Sequence, residues 1–438
     1  MNRPVFLTLA ALVTASSQVC AEQAQGVLAD FYDNAEYELD MSVTGYFDAP
    51  ASRQVDQDDA AYLGRFTLKS QASLLDNIRM GFDAYATYST QDDEYRGIVR
   101  FPGQRTRQPR YADFNTLWLR YDADDYELLM GKDYIENGFA ELYSPVDRFG
   151  LTNVSNPTLP YKMGVWQAGI DYFIGDDTLS FKWVPVHEKI LLPTDNSRWF
   201  GLSDDPQFTF LAQNTALEEK YYPVRVENMG YLLKYKGTRA GYDFYGLAHH
   251  GPSLYPSLLN TADPNLFIKQ EPLAFSTAAG VLKVIDQWKL YAEAIYQQTY
   301  DGKDADFIRY SAGLSYQFDA LAEAIGFAET KLSVQWSGDE TLASADANKV
   351  GYSSRKARLF RNTVLVKTEF KQNDEWSYYA LGVRNAETDY SLSAGIKYKP
   401  NDNLFFNLEG VSFNGPEDTQ FGRWGNNDFL RLRTIYKF

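Results

Sequence analysis

The chain is poor in the groups that catalysis and metal binding need. Its 438 residues include one cysteine, Cys20, and three histidines, His187, His249 and His250. A single cysteine closes no internal disulfide. His187 is followed by Glu188 in "VHEKI", but the second histidine of a zinc-binding helix is missing. Neither a Gly-x-Ser-x-Gly elbow nor a phosphate-binding loop occurs. "DGKDAD", Asp301 to Asp306, has carboxylates without the spacing or terminal glutamate of an EF-hand. The chain therefore reads as a non-enzyme with no cofactor and no metal site. No stretch after the N-terminal segment has 18 uninterrupted apolar residues, which excludes spanning helices. A formal net charge of −16 excludes nucleic acid as a partner, because phosphate backbones require concentrated Lys and Arg. Ser/Gly-rich linkers and Pro-rich runs are also missing, so no domain boundary is visible.

What is present is alternation. The opening "MNRPVFLTLAALVTASSQVCAEQ" has Arg3, an apolar stretch from Val5 to about Ala15, and small residues at Val19 and Ala21, so we expect a secretory signal over 1–21. Val19 and Ser17 do not suit lipidation of Cys20. Aromatics reach 16%, with 32 tyrosines and 28 phenylalanines, while mean hydropathy is polar at −0.41. Tyrosine joins an apolar ring to a wettable hydroxyl, which suits a bilayer interface. From about Tyr37 onward, period-two patterns recur in segments of about ten residues. "YELDMSVTGYF" sets Tyr37, Leu39, Met41 and Val43 against Glu38, Asp40, Ser42 and Thr44; "IRYSAGLSYQF", "YSLSAGIKY" and the final "LRLRTIYKF" repeat the arrangement.

The links between these segments alternate in length. Short ones fall at Asp76-Asn77, Asp122 to Asp125, Gly175 to Asp177, Lys236 to Arg239, Asp286-Gln287, Gln372 to Glu375 and Pro400 to Asn403. Long ones fall at Asp48 to Asp59, Thr90 to Pro109, Glu136 to Met163, Glu188 to Pro223, His250 to Glu271, Gly338 to Arg355 and Asn414 to Asn426. Two links break the parity: "ALAEAIGF" on the short side can hold a helical turn or two, and Ala386 to Asp389 on the long side is brief. Sorting by parity is expected of a transmembrane antiparallel β-barrel, with short periplasmic turns and long extracellular loops. The fold class is all-β, with about 18 strands and 16 as the alternative count. We assign 22–36 to a periplasmic N-terminal lead, of which "GVLADFYDNA" can form a short helix, and 37–438 to the barrel.

The C-terminal "TIYKF" resembles the terminal strand signal of Gram-negative outer-membrane barrels, in which a last aromatic follows alternating apolar residues; here these are Tyr436 and Phe438. That resemblance implies a porin-like barrel in the cell outer membrane, inserted by a barrel assembly machinery and surrounded by outer-membrane lipid and lipopolysaccharide. A second stretch, about Leu129 to Phe200, with "MGKDYIENGFAELYSPVDRFGLTN" and "FKWVPVHEKILLPTDNSRWFG", resembles alginate-export-type barrels. It implies export alongside a periplasmic partner.

With apolar residues facing lipid, the opposite face carries Arg65, Lys69, Arg79, Arg120, Lys182, Lys234, Lys289, Arg309, Lys331, Arg361, Lys367, Lys397, Arg431 and Arg433. Fewer acids share it: Glu38, Asp40, Asp83, Glu127, Asp171, Asp243, Glu293, Glu369 and Glu409. Turning such cations to lipid would cost about 2–4 kcal/mol each near the midplane. A basic lumen lowers the barrier for anions, so we expect a channel for an anionic small molecule or polymer, hydrophilic or amphiphilic. Two plainer readings stand beside it: the cations pair with carboxylates across strands, and the barrel is a closed scaffold or docking partner of an envelope export complex. The loops Glu136 to Met163 and Glu188 to Pro223, which hold Pro145, Pro157, Pro160, Pro193 and Pro206, are long enough to fold inward.

Overall fold

The computed structural model describes residues 26–49, 58–91, 95–101, 108–194, 197–200, 217–263, 266–386 and 388–438. The expected signal segment, 1–21, lies outside them. Within them, 18 antiparallel strands form one sheet that closes on itself. The first six are β1 (Glu36–Tyr46), β2 (Ala60–Leu75), β3 (Ile78–Ser89), β4 (Ala112–Asp122), β5 (Tyr126–Asp133) and β6 (Val165–Ile174). Next come β7 (Asp177–Val184), β8 (Gly230–Arg239), β9 (Tyr242–Pro252), β10 (Leu273–Ile285), β11 (Trp288–Thr299) and β12 (Asp306–Gln317). The last are β13 (Glu329–Ala343), β14 (Thr363–Lys371), β15 (Trp376–Asn385), β16 (Tyr390–Asn401), β17 (Leu404–Asn414) and β18 (Phe429–Lys437). Each strand pairs with its neighbour in the chain. Closure comes from β1 against β18, with Val43 opposite Leu432 and Ser42 opposite Arg433.

The last strand shows which way the faces turn. Leu430 and Leu432 are each 46% exposed, whereas Arg431 between them is 3% exposed. A soluble sheet does the reverse. The same holds in β1, where Met41 and Val43 are exposed while Ser42 and Thr44 are buried. Phe66, Leu119, Met130, Phe181, Leu233, Val281, Leu290, Leu392 and Leu408 continue this apolar surface around the barrel. In water each such side chain would forgo about 1.5–3 kcal/mol of burial, so the surface is explained by hydrocarbon outside it.

The turns follow the expected parity, with differences. The short link expected at Lys236 to Arg239 is at Ala240-Gly241, because Lys236 to Arg239 stay paired with Tyr242 to Tyr245; Ala240 and Gly241 have φ of 52° and 73°, the left-handed pair of a tight hairpin turn. Strand β13 extends to Ala343, past the expected loop start at Gly338, and β9 extends to Pro252. "ALAEAIGF" forms the helix Asp319–Ile325 on the short-turn side. One long-side connection, Tyr300 to Ala305, joins β11 to β12 and was not separated out by the pattern. Beyond the barrel rim, Leu217–Glu219, Ser257–Asn260, Phe267–Gln270 and Val350–Tyr352 assemble a four-stranded sheet from three different loops.

Gly131 interrupts the alternation in β5. Its φ is +135°, and consecutive Lys132 and Asp133 are both buried, Lys132 Nζ lying 3.3 Å from Asp113 and Asp133 lying 2.7 Å from Arg120. A Cβ at this position would sit 2.3 Å from the Leu117 carbonyl oxygen, which is backbone and cannot swing away. Gly131→Ala is therefore expected to destabilise the barrel by about 1–3 kcal/mol, measured as a lower midpoint of urea unfolding in detergent with an unchanged slope.

Candidate functional site

The segment 134–164, which joins β5 to β6, crosses the lumen and fastens to the far wall. Its apolar residues Ile135, Val146, Leu151 and Met163 bury against inward-facing Tyr85, Leu232, Tyr245, Leu247, Ala278 and Ile295. Four polar side chains from β11 and β13 then hold its tip. Glu293 accepts hydrogen bonds from the Phe139 N–H at 2.6 Å and the Ala140 N–H at 3.4 Å, from the Ser144 hydroxyl, and from the Tyr245 hydroxyl at 3.1 Å. Gln335 accepts from the Leu142 and Tyr143 N–H groups, both at 3.3 Å, and donates to the Tyr143 carbonyl at 2.6 Å. Lys289 and Lys331 lie 2.9 Å and 3.1 Å from Glu141 of the loop. On the return path Arg431 of β18 donates to Thr158 Oγ1 at 2.9 Å.

A second inward segment, 185–194 with 197–200, packs beside it. Leu191 exchanges backbone hydrogen bonds with Thr152 and Val154 of the crossing loop. Trp199 is 1% exposed, among Tyr46, Phe413, Trp424 and Phe429. Arg198 stacks 3.4 Å over the Tyr46 ring and donates to the carbonyls of Asp48 and Asp58. The inward loops thus give the lumen a packed half on the long-loop side. The stretch Leu129 to Phe200 contains both segments; in its "SPVD", Ser144 and Val146 are among the residues that dock the loop.

The expected lumen cations fall into three groups. Most meet carboxylates: Arg79 with Asp122 at 2.6 Å, Arg120 with Asp133, Lys182 with Asp171 at 2.9 Å, Lys367 with Glu369 at 2.8 Å, and Arg433 with Asp40 at 2.6 Å. Arg431 pairs with Glu409, Arg309 with Asp339 at 3.1 Å, and Lys289 and Lys331 share Glu141. Among the described residues Arg65, Lys69, Lys234 and Lys397 form no ion pair. Arg65 stacks between the Tyr85 and Tyr161 rings at 3.9 and 4.1 Å and donates to Asn115 at 3.0 Å. Lys234 donates to the Glu136 carbonyl at 3.2 Å, Lys397 lies 5.0 Å from the Tyr379 ring centre, and Lys69 is exposed to the lumen. Arg361 is a correction: it lies in the connection before β14, not on a strand, because pairing with β15 begins at Thr363.

Several charged groups at the lumen were missed from sequence. Asp122 and Asp133 sit at strand ends, where alternation is easily miscounted, and Glu141 reaches the wall only through the loop's tertiary path. Arg148 of the crossing loop is buried and forms no ion pair among the described residues; it lies 5.6 and 5.4 Å from the Tyr255 and Phe307 rings, and burial lowers its guanidinium to about 10. Arg358 shares Asp339 with Arg309, at 2.7 Å. Burial pushes the Glu188 carboxyl up, and Arg100 at 3.9 Å only partly opposes this.

Glu141 connects this geometry to pH. Burial pushes its carboxyl up, but hydrogen bonds and charge from Lys289 and Lys331 outweigh that and hold it below the ordinary carboxylate range. A depressed folded value means that the tether is complete above the ordinary range and is lost as pH falls through the depressed one. Glu141→Gln is expected to speed amide exchange at 139–144 at neutral pH at least tenfold, an opening eased by about 1.4 kcal/mol. In the wild type, the same loosening is expected only in acid, below the ordinary carboxylate range.

No family model and no curated protein matches the sequence. Solved structures do match the fold. Three from Pseudomonas aeruginosa are OccK8 (OprE), OccK11 (OpdR) and OpdO, with TM-scores of 0.52, 0.51 and 0.50 at 12%, 10% and 10% identity. The alignments cover 93%, 93% and 94% of this chain and 99%, 97% and 98% of those chains. At such identities the likeness concerns architecture, and it extends over nearly the whole length of both partners. The chain thus shares with them the fold of a closed antiparallel β-barrel, here of 18 strands with an apolar outer belt.

Proposed function

We propose that this barrel is a passive outer-membrane channel whose lumen favours small anionic, hydrophilic solutes. The observation that carries the reading is the set of lumen lysines that have no carboxylate within ion-pair distance among the described residues, Lys69, Lys234 and Lys397. They stand on a wall where other cations are neutralised in pairs. Paired charges contribute a polar surface with little net field; the remaining ammonium groups set the sign of the potential along the path. The crossing loop narrows that path, which favours a small solute over a bulky polymer. Tyr436 and Phe438, 38% and 65% exposed on the outer face with rings 4.7 Å apart, suit an assembly signal read before the last strand is embedded.

Reversal potentials across planar bilayers in a potassium chloride gradient test the reading. The wild type is expected to prefer anions. Lys69→Glu combined with Lys397→Glu is expected to move the reversal potential toward the cation value without loss of the folded, heat-modifiable band. A wild-type preference for cations removes the anionic solute. Absence of any conductance supports instead a closed scaffold, for which the packed long-loop half of the lumen is the favouring observation.

A further inference from the structure

The outer wall is exposed along most of its apolar surface, but one patch at the short-turn end is covered. Ser70 and Ala72 of β2 share the outward phase with Tyr62 and Phe66, yet they are 7% and 3% exposed against 50% and 40%. The cover is a helix over residues 26–33, in the lead before β1. The Ser70 hydroxyl donates to the Phe31 carbonyl at 2.6 Å, Asn34 Nδ2 donates to the Gln71 carbonyl at 3.1 Å, and the Ser73 N–H donates to Asp30 at 3.3 Å. The Phe31 ring lies 5.7 Å from Phe82, which points outward because its neighbour Asp83 points into the lumen toward Asn115. The lead is therefore outside the barrel, against the wall of β2 and β3.

The spacing within the helix divides its faces. Asp30, Phe31 and Asn34 touch the wall, whereas Leu28 and Tyr32, four residues apart, are 67% and 79% exposed on the opposite side. The patch lies three to six residues from the Asp76-Asn77 turn. Outward-facing Tyr121 and Tyr126, rings 6.1 Å apart, mark the same end of the barrel. Outward tyrosines near strand ends mark the level of the lipid headgroups.

We propose that helix 26–33 is an interfacial helix that lies in the periplasmic leaflet, with Leu28 and Tyr32 seated at the boundary between headgroups and acyl chains. The argument for lipid as the occupant is continuity: Leu28 and Tyr32 extend the apolar belt that Phe66 and its neighbours present to hydrocarbon. The docking also removes a defect from that belt. An outward serine at this depth would leave a hydroxyl unsatisfied in a poorly hydrated zone, and the Phe31 carbonyl satisfies it. The lead is thereby kept out of the lumen, whatever passes through the pore.

Site-directed spin labelling tests this in vesicles of phosphatidylethanolamine and phosphatidylglycerol. Labels are placed at Leu28→Cys or Tyr32→Cys, with Cys20→Ser. Both are expected to collide with oxygen more than with a water-soluble nickel chelate, as at lipid-facing Leu432→Cys. They should differ at least fivefold in chelate accessibility from the turn site Asp374→Cys. Adding Ser70→Ala is expected to sharpen the spectrum at position 32 as the helix loosens. Chelate accessibility equal to that at position 374 overturns the proposal, and so does shielding from both reagents, which would mean a protein partner. Should the cysteine variants fail to insert, Tyr32→Trp in brominated lipid gives the same decision: quenching supports the interfacial seat, and its absence at position 32 overturns it.

Discussion

Everything in this molecule depends on the pairing of β1 with β18. A sheet in hydrocarbon has no water to satisfy its edges, and each unpaired backbone group there costs several kcal/mol. Joining Glu38 through Tyr46 to Phe429 through Lys437 removes both edges at once. The seam also carries an ion pair on its inner side, Arg433 with Asp40 at 2.6 Å, and exposed Val43 and Leu432 on its outer side. One register therefore meets three demands, because a slip by one residue would turn Arg433 to lipid and Leu432 to the lumen.

Closure creates an interior that must be filled with something compatible with charge. The chain fills part of it with its own loop, and the attachment is polar: Glu293, Gln335 and the Lys289–Glu141–Lys331 cluster receive the tip of the crossing segment. Buried apolar side chains support the segment nearer its ends, Ile135 and Met163 among them. Carboxylates neutralise most of the wall cations, as a low-dielectric interior requires. What is left over on the wall is a few lysines rather than the whole basic inventory of the strands.

The outer surface shows the same economy. Where the apolar belt is continuous it needs nothing further. Where β2 presents Ser70, the lead before β1 supplies the missing acceptor and adds its own Leu28 and Tyr32 to the surface. Wall, loop and lead are thus three answers to one requirement, that each polar group find a partner on the side of the wall where it lies.

Local pattern was enough for the strands, because a strand that separates lipid from water must alternate and a hairpin must turn. "LRLRTIYKF" alone specifies the two faces of β18, and Asp76-Asn77 and Asp286-Gln287 mark real turns. The pattern was weaker where pairing outlasts alternation, as at Ala240-Gly241, or where a left-handed glycine breaks it, as at Gly131. It left open whether Arg79, Lys182 and Arg433 have partners, since cross-strand neighbours depend on register. The path of 134–164 across the lumen, the choice of Glu141 as its anchor, and the docking of the lead outside the wall were decided only by tertiary structure. These contacts join residues far apart in sequence, and only closure of the cylinder sets the distances between them.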